Sequence, residues 1–436
     1  MNDAKRTHSG AWQERPATAE PTLRQMLTLW LPLAASIVMM VLEPSTINIA
    51  LGRTADPVLA LAAYGVAFSL ALLVEAPIIM LLDASVARSS NRSAFVVIRR
   101  FTLGLGLIVT AIGLIVSLTP LYSLIVEDLM NIPADVAARA RPTTQILSFW
   151  SLPIAWRRAH QGVLIRAKRT AVITIATGVR LVSLAGGLFG GLLLMPDRGA
   201  IVAGLAMDLS VTIEALVITL ATRPVLHSDS FQPDASEEEE PSLNLQSLWR
   251  FYRPLAVTTI LRQSARPVLN VGIAAAEMAR ASLAAWPVTW GFTILIAGPA
   301  WSLQQLTTAL AADEVAYRRV RIFALTLSAV FALLLGLVAF TPLYGLVMGG
   351  IYNLSPELQD LARPAVQWMV FYPLLMGAQS LLRGVMIRGG CTGAVRAAMT
   401  ANVLTLAGSI LVGILVFSPT GVVLAAIATL TGGLAE

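Results

Sequence analysis

The chain has 436 residues, of which 56% are hydrophobic and only 13% are charged, and its mean hydropathy is +0.73. Soluble domains carry about 25% charged residues, so this composition excludes an ordinary soluble protein. Long apolar runs at 103–118 and 329–340 predict a polytopic membrane protein instead. The first 24 residues are polar and mixed in charge, and we do not expect them to form a cleavable signal peptide.

About 20 apolar residues are needed for a helix to cross the hydrocarbon core of a bilayer. On this criterion we predict an all-α integral membrane protein. Its twelve transmembrane helices lie near 27–51, 58–82, 100–119, 143–164, 170–194, 200–221, 249–274, 281–306, 321–341, 365–387, 396–417 and 420–435.

Basic residues are concentrated in the even-numbered connections between these crossings. The two richest connections hold Arg88, Arg92, Arg99 and Arg100, and Arg157, Arg158, Arg166, Lys168 and Arg169. The positive-inside rule predicts that these connections and both termini are cytoplasmic, in a multi-pass protein of the cell (inner) membrane. Because the basic residues orient the chain in this way, the net charge of +6 does not predict a nucleic-acid partner.

One stretch of the sequence occurs twice. TPLYSLIVEDLMNIPADVAARARP at 119–142 returns as TPLYGLVMGGIYNLSPELQDLARP at 341–364, with nine of 24 positions identical, where unrelated stretches would share about two. The same offset of 222 relates Asn48 to Asn270 and many other residues, which indicates a duplication. Each copy holds six crossings, so we predict two parallel six-helix repeats. A pseudo-two-fold axis along the membrane normal would relate them, with a central cleft between them.

A polar segment with the acidic run Glu237–Glu240 lies between the sixth and seventh crossings and is typical of a solvated tether. We therefore divide the chain into an N-terminal six-helix lobe at 1–222, a cytoplasmic acidic linker at 223–247 and a C-terminal six-helix lobe at 248–436.

Few residues are suited to catalysis or to cofactor binding. Cys391 is the single cysteine, the chain has three histidines, and its two lysines lie outside any glycine-rich phosphate loop. We predict that the protein is not an enzyme and has neither a cofactor nor a metal site.

Ionisable residues at membrane depth mark the candidate site, because burying them in hydrocarbon is costly. We predict that coupling or gating residues are found in the first copy, as Glu43, Glu75, Asp83, Asp208 and Glu214. A proton or a sodium ion is the coupling ion that they would serve. A structural pairing of Asp208 with Glu214, and a salt bridge from Glu43 to an arginine of the second copy, are the alternatives.

Arginines of the second copy predict the substrate. Arg262 and Arg266 are four residues apart and share one helix face. Together with Arg383 they would favour a small anion, because a guanidinium group binds carboxylate or phosphate through two parallel hydrogen bonds.

Two parallel six-helix copies with an acidic middle linker resemble the MATE-like multidrug/oligosaccharidyl-lipid/polysaccharide exporter superfamily. Within it, the chain resembles the progressive ankylosis (ANK) family in LAAYGVAFSL (61–70) followed by Pro77, AWRRAHQG (155–162), FYRPLAVTTILRQSARPVLN (251–270) and FYP (371–373). The resemblance implies efflux of small polyanions such as citrate, pyrophosphate or nucleoside triphosphates.

On this resemblance Arg266, Asn270 and His160 fall on substrate-binding positions, and Asn48 is the equivalent of Asn270 in the first copy. Gln263 departs from the family, which has a basic residue there. For His160, contact with the lipid headgroups is the alternative.

We therefore expect a secondary-type transporter that exports small organic or inorganic anions by alternating access between two lobes, with the lipid bilayer as its surroundings. A cation-coupled MATE-type multidrug exporter and a lipid-linked oligosaccharide flippase are the alternatives.

Overall fold

The computed structural model describes residues 21–89, 91–167, 169–228, 243–311, 313–388 and 392–436. Its α-helices are α1 (Leu23–Leu51), α2 (Pro57–Ile79), α3 (Leu81–Arg88), α4 (Arg92–Leu118), α5 (Leu121–Ser123), α6 (Ala134–Phe149), α7 (Ser151–Arg166), α8 (Thr170–Leu194), α9 (Gly199–Leu226), α10 (Leu245–Gln263), α11 (Ala265–Ala274), α12 (Ala279–Ala297), α13 (Leu303–Leu310), α14 (Glu314–Phe340), α15 (Leu343–Gly345), α16 (Pro356–Met369), α17 (Tyr372–Arg388), α18 (Thr392–Val412) and α19 (Gly421–Ala435). Stretches of π-helix (Leu124–Leu129, Leu346–Ile351, Gly413–Phe417) and 3-10 helix (Pro196–Arg198, Gly298–Ser302) complete the helical structure. Most of the predicted linker, 229–242, lies outside the described residues.

The structure is all-helical over these ranges, as the sequence predicts. Nine helical stretches of the described chain are long and apolar enough to cross a membrane, and α19 is a shorter apolar helix. The α6–α7 and α10–α11 stretches are not among the nine, and both carry arginines along their length. The count of twelve crossings therefore stays a prediction.

Prolines explain where long helices are interrupted. A proline has no N–H for the carbonyl four residues earlier. Thus α6 ends at Phe149, four residues before Pro153, and α10 ends at Gln263, four residues before Pro267. Interruptions also lie close to Pro77 and Pro299, whereas α1 continues through Pro44 without a break.

The two TPLY segments have the same local geometry. The Tyr122 hydroxyl donates to the Ala137 carbonyl at 2.8 Å, and the Tyr344 hydroxyl donates to the Gln359 carbonyl at 2.7 Å. In both segments an arginine guanidinium lies 5.4 Å from the centre of that tyrosine ring. Both segments also turn into the next helix through an asparagine with positive φ, 51° at Asn131 and 56° at Asn353. Asparagine is among the few residues besides glycine that adopt this conformation readily, which accounts for its presence in both copies.

For orientation we call residues 21–228 the first half and residues 243–436 the second half. The end of the bundle where α5 and α15 lie is the TPLY end. The opposite end, where α9 ends and α10 begins, is the linker end.

Helices α2 and α12 cross where the two halves meet. Gly65 of α2 lies against Pro287 of α12, and a Cβ atom on Gly65 would be 2.7 Å from the proline ring. These two residues are themselves related by the offset of 222. Asn48 and Asn270 flank the crossing: the amide of Asn48 donates to the Pro287 carbonyl at 2.8 Å, and that of Asn270 donates to the Ser69 hydroxyl at 2.7 Å. Equivalent residues therefore make the central contacts from both sides.

The first long helix of each half packs its linker-end part against the other half. The Trp30 indole N–H donates to the Pro299 carbonyl at 3.3 Å, and the Tyr252 hydroxyl donates to the Pro77 carbonyl. Trp30 also packs edge-to-face on Phe323, as Tyr252 does on Phe101. Each residue in the first set of contacts is related to its counterpart in the second set by the offset of 222. Helix α1 therefore packs on the second half in the same way as α10 packs on the first half.

Candidate functional site

A network of buried charges occupies the interior of the first half. Arg180 of α8 donates from Nη2 to Glu43 Oε1 at 2.6 Å and lies 3.4 Å from Glu214 Oε2 through Nη1. Arg157 of α7 forms a second ion pair with Glu214, and the Thr177 hydroxyl donates to the other carboxylate oxygen at 3.3 Å. Helices α1, α7, α8 and α9 are thus linked through two carboxylates.

Glu75 and Arg158 extend this network toward α2. Glu75 is buried on α2, which packs against α7, and Arg158 follows Arg157 on α7, although no ion pair joins Glu75 to an arginine among the described residues. We call Glu43, Glu75, Glu214, Arg157, Arg158 and Arg180 the buried charge network. It contains three carboxylates and three guanidinium groups, so its formal charges cancel. Such compensation is needed because an isolated charge at membrane depth is costly.

Arg180 is the residue that sequence analysis missed. It lies inside the apolar run of α8, and a lone arginine in the middle of a predicted crossing was the available signal. The pairing of Glu43 also differs from the alternative considered above, because Glu43 binds Arg180 of the same half and not an arginine of the second half. The reason is packing, since α1 lies directly against α8.

A second group of charges lies in the second half and is mostly basic. We call Arg262, Arg266 and Arg383 the cationic cluster. Arg262 lies close enough to Arg383 and to Arg266 for these like charges to repel one another. Arg383 forms an ion pair with Glu436. Within the described ranges, Arg262 and Arg266 have no carboxylate at ion-pair distance. The structure therefore brings three of the predicted substrate-binding residues together.

Arg266 faces the first half across the central interface. Its guanidinium carbon lies 5.8 Å from the centre of the Phe68 ring, and Phe68 stacks on Tyr64 at 5.5 Å. The Tyr64 hydroxyl is buried and has no hydrogen-bond partner in the described part of the chain. A cation and an unsatisfied hydroxyl group thus belong to one half-buried region between the halves.

The other predicted site residues are distributed differently. Asn48 and Asn270 lie at the α2–α12 crossing, and Asp83 is exposed on α3. His160 is packed against Phe95 and Trp156, with its Nδ1 2.9 Å from the Trp156 carbonyl oxygen, and no contact joins it to the cationic cluster.

Asp208 and Glu214 do not pair. Asp208 lies on α9, and its Oδ1 atom is buried without a hydrogen-bond partner among the described residues, whereas Glu214 binds arginines. No group of three or more histidine, cysteine, aspartate or glutamate residues suited to a metal ion occurs in the described ranges.

The halves are in close contact at the TPLY end. The Asn353 amide donates to the Gly52 carbonyl at 2.8 Å. Arg280 of the second half forms ion pairs with Asp56 and Asp135 of the first half at 3.5 and 3.0 Å. A Cβ atom added to Gly52 would lie 2.0 Å from the Tyr352 carbonyl oxygen. Gly52 has φ of −62°, so its own backbone would accept alanine and only the opposite half would not.

Gly52→Ala is therefore expected to force the halves apart at the TPLY end. We would replace Cys391, which lies outside the described residues, with serine and introduce Ser45→Cys as a reporter, because Ser45 is buried and donates to the Gly291 carbonyl across the interface. A membrane-impermeant maleimide should then label this thiol several-fold faster in the Gly52→Ala protein. Gly104→Ala is the matched control, since no atom lies within 4 Å of its added Cβ atom. Equal labelling in both proteins would contradict the expected opening.

No family model matches the sequence, and no curated protein matches it. Solved structures do match over nearly the whole chain. An inward-facing multidrug resistance MATE family transporter of the MOP superfamily has 16% sequence identity and a TM-score of 0.68, with 92% of this chain and 95% of that chain covered. The lipid II flippase MurJ in an inward closed conformation has 15% identity and a TM-score of 0.69, with 93% and 86% covered. An outward-facing MATE family transporter has 16% identity and a TM-score of 0.57, with 95% and 93% covered.

The chain thus has the helical fold that is found in the MATE transporter and in the lipid II flippase MurJ.

Proposed function

We propose that the protein is a secondary-type transporter that exports small organic or inorganic anions by alternating access. In this proposal the two halves are parallel six-helix repeats with twelve crossings in total, and a pseudo-two-fold axis along the membrane normal relates them. The contacts in the two TPLY segments, and those at the interface, are made by residues related by the offset of 222, which supports the repeat. The proposed substrates are citrate, pyrophosphate or nucleotide-like anions, to which the resemblance to the ANK family points.

The cationic cluster is the observation that carries the proposal. Arg266 is half-buried, faces the first half and has no carboxylate at ion-pair distance in the described chain. An arginine at membrane depth without such a partner is costly, and a bound anion would offset that cost. The planar guanidinium group selects carboxylate and phosphate, both of which accept two hydrogen bonds from it. The Tyr64 hydroxyl, buried without a hydrogen-bond partner among the described residues, is a further donor on the ring that stacks against Phe68.

The buried charge network argues against a site for cationic drugs. Two of its three carboxylates, Glu43 and Glu214, already bind arginines and are therefore not free to bind a cationic drug. Their role in this proposal is to hold α1, α7, α8 and α9 together. The fold fits a cation-coupled multidrug exporter or a lipid-linked oligosaccharide flippase equally well. The three functions must therefore be distinguished by identifying the ligand that the protein binds.

In the cell we place the protein in the inner membrane with the linker end and both termini in the cytoplasm, as the charge distribution favours. The TPLY end is then the outer end. A proton or sodium ion remains the proposed coupling ion, and Glu75, Asp83 and Asp208 are the predicted coupling residues that form no ion pair among the described residues, whereas Glu43 and Glu214 bind arginines.

A ligand screen by thermal unfolding tests the proposal. Citrate, pyrophosphate and nucleoside triphosphates should each be compared with cationic dyes at matched ionic strength, using the purified full chain in detergent. A ligand at one hundred times its Kd stabilises the folded state by about 2.7 kcal/mol, which raises the midpoint of unfolding measurably. Stabilisation by anions alone is expected. Stabilisation by the dyes alone would support the multidrug alternative and contradict the anion site.

A further inference from the structure

We propose that a groove beside α1 is a binding site for an anionic phospholipid. A cavity of about 540 Å³ lies between the start of α1 and the side of α14. Its walls are mainly apolar, with Leu23 and Met26 from α1 and Ile322, Leu327 and Val330 from α14. Arg319 lines the same cavity from the second turn of α14. We call this cavity the α1–α14 groove.

The chemistry of the groove suits a lipid with a negative headgroup. Its volume is within the range of ordinary small-molecule sites. The apolar walls run along α14 at a depth where acyl chains are the natural neighbours, since α14 is long enough to cross the bilayer. Arg319 lies at the linker end of these walls, where exposed Arg24 and Arg321 add positive charge. Basic pockets between transmembrane helices bind anionic headgroups, and a guanidinium group binds phosphate especially well.

The equivalent place in the first half is built differently. At the offset of 222, Arg319 corresponds to Val97 and Leu27 corresponds to Trp249. The Trp249 ring packs against Phe101 at a centroid distance of 6.2 Å. That copy therefore has no cation at the equivalent position and places a large aromatic ring beside α4. The duplication of the fold therefore does not by itself account for Arg319 or for the open groove next to α14.

The groove also adjoins the contact between α1 and the second half. Phe323 lines the groove and packs edge-to-face on Trp30, with ring centroids 6.3 Å apart. Trp30 in turn donates to the Pro299 carbonyl of the second half. A lipid in the groove would contact α1 and α14 together, so it would brace the linker-end part of α1 against the second half.

Native mass spectrometry of the purified full chain tests this site. Phosphatidylglycerol and phosphatidylcholine with identical acyl chains should be added to delipidated protein, and phosphatidylglycerol should bind preferentially. Arg319→Gln is expected to weaken phosphatidylglycerol binding about fivefold and phosphatidylcholine binding by less, because the choline cation offsets the charge of the phosphate. Arg318→Gln is the matched control, because Arg318 is exposed on the same helix turn but does not line the groove.

A second variant tests the apolar walls of the α1–α14 groove. Thr326 lines the groove and is exposed, so Thr326→Phe should fill it without disturbing the core and should weaken the binding of both lipids. Size-exclusion profiles and thermal midpoints of the lipid-free variants serve as folding controls. Equal losses in Arg318→Gln and Arg319→Gln, which general attraction of anionic lipid to a basic surface would produce, would overturn the proposal. Unchanged binding in Thr326→Phe would also overturn it.

Discussion

Arg180→Gln is expected to lower the free energy of unfolding by about 3–5 kcal/mol, the range found when one partner of a buried ion pair is removed. Arg180 joins Glu43 and Glu214, and its side chain is only 14% exposed. Without it, Glu214 keeps Arg157 as a partner, but Glu43 loses the cation that it binds in this structure. An uncompensated carboxylate inside the bundle is the cause of the expected loss. Thermal or denaturant unfolding in one detergent would measure it.

Two further proteins make this result interpretable. The double variant Glu43→Gln, Arg180→Gln removes both charges and leaves the Arg157–Glu214 pair intact, so it should recover most of the stability lost in Arg180→Gln. Arg280→Gln is the surface control. Arg280 also joins two carboxylates, but it is 48% exposed, and its loss should cost no more than about 1 kcal/mol. Equal destabilisation by Arg180→Gln and Arg280→Gln would contradict the role assigned to burial.

Hydropathy located the crossings more reliably than the ends of the helices. The third crossing was predicted at 100–119, whereas α4 begins at Arg92. The additional residues include five apolar ones, Ala94–Ile98, but the Arg99–Arg100 pair separates them from the long apolar run, so hydropathy places the start of the crossing after that pair. A capping signal marks the observed start: the Asn91 side chain accepts a hydrogen bond from the Ala94 amide, and Asp313 caps Ala316 at the start of α14 in the same way. An asparagine or aspartate before an arginine-rich segment could therefore have moved both boundaries.

The sequence does not predict which side chains of different helices pair, and the reason is a different one. The spacing of Arg262 and Arg266 was local information, and these two residues do lie in one cluster. The partner of Glu43 depends on which helices are neighbours, and neither hydropathy nor the repeat says that α1 packs on α8. The same limit applies to His160, whose surroundings are set by Phe95 from another helix. Residues on one helix can be grouped from the sequence, but contacts between helices require the fold.

Arg266→Gln is expected to abolish anion export and to weaken anion binding by at least tenfold. The loss of a charge-assisted hydrogen-bond pair in a half-buried site costs about 1.5–3 kcal/mol, which corresponds to a factor of about ten to one hundred in Kd. Arg266→Lys keeps the charge but loses the planar fork, so it should recover only part of the affinity. Efflux from proteoliposomes and ligand-induced thermal stabilisation would be measured together. Arg321→Gln, which removes an exposed arginine on α14, is the control for loss of one positive charge.

Tyr64→Phe separates a contact with the anion from a general effect on packing. The Tyr64 hydroxyl is buried without a hydrogen-bond partner among the described residues, so its removal should leave stability unchanged or slightly raised. If an anion bound at Arg266 uses this hydroxyl as a donor, Tyr64→Phe should still weaken binding several-fold. The exchange Glu43→Arg with Arg266→Glu should fail to restore transport, because Glu43 binds Arg180 and not Arg266. Full efflux and unchanged ligand stabilisation in Arg266→Gln would remove the anion site, and Arg266 would then be a packing residue whose guanidinium group lies over the ring of Phe68.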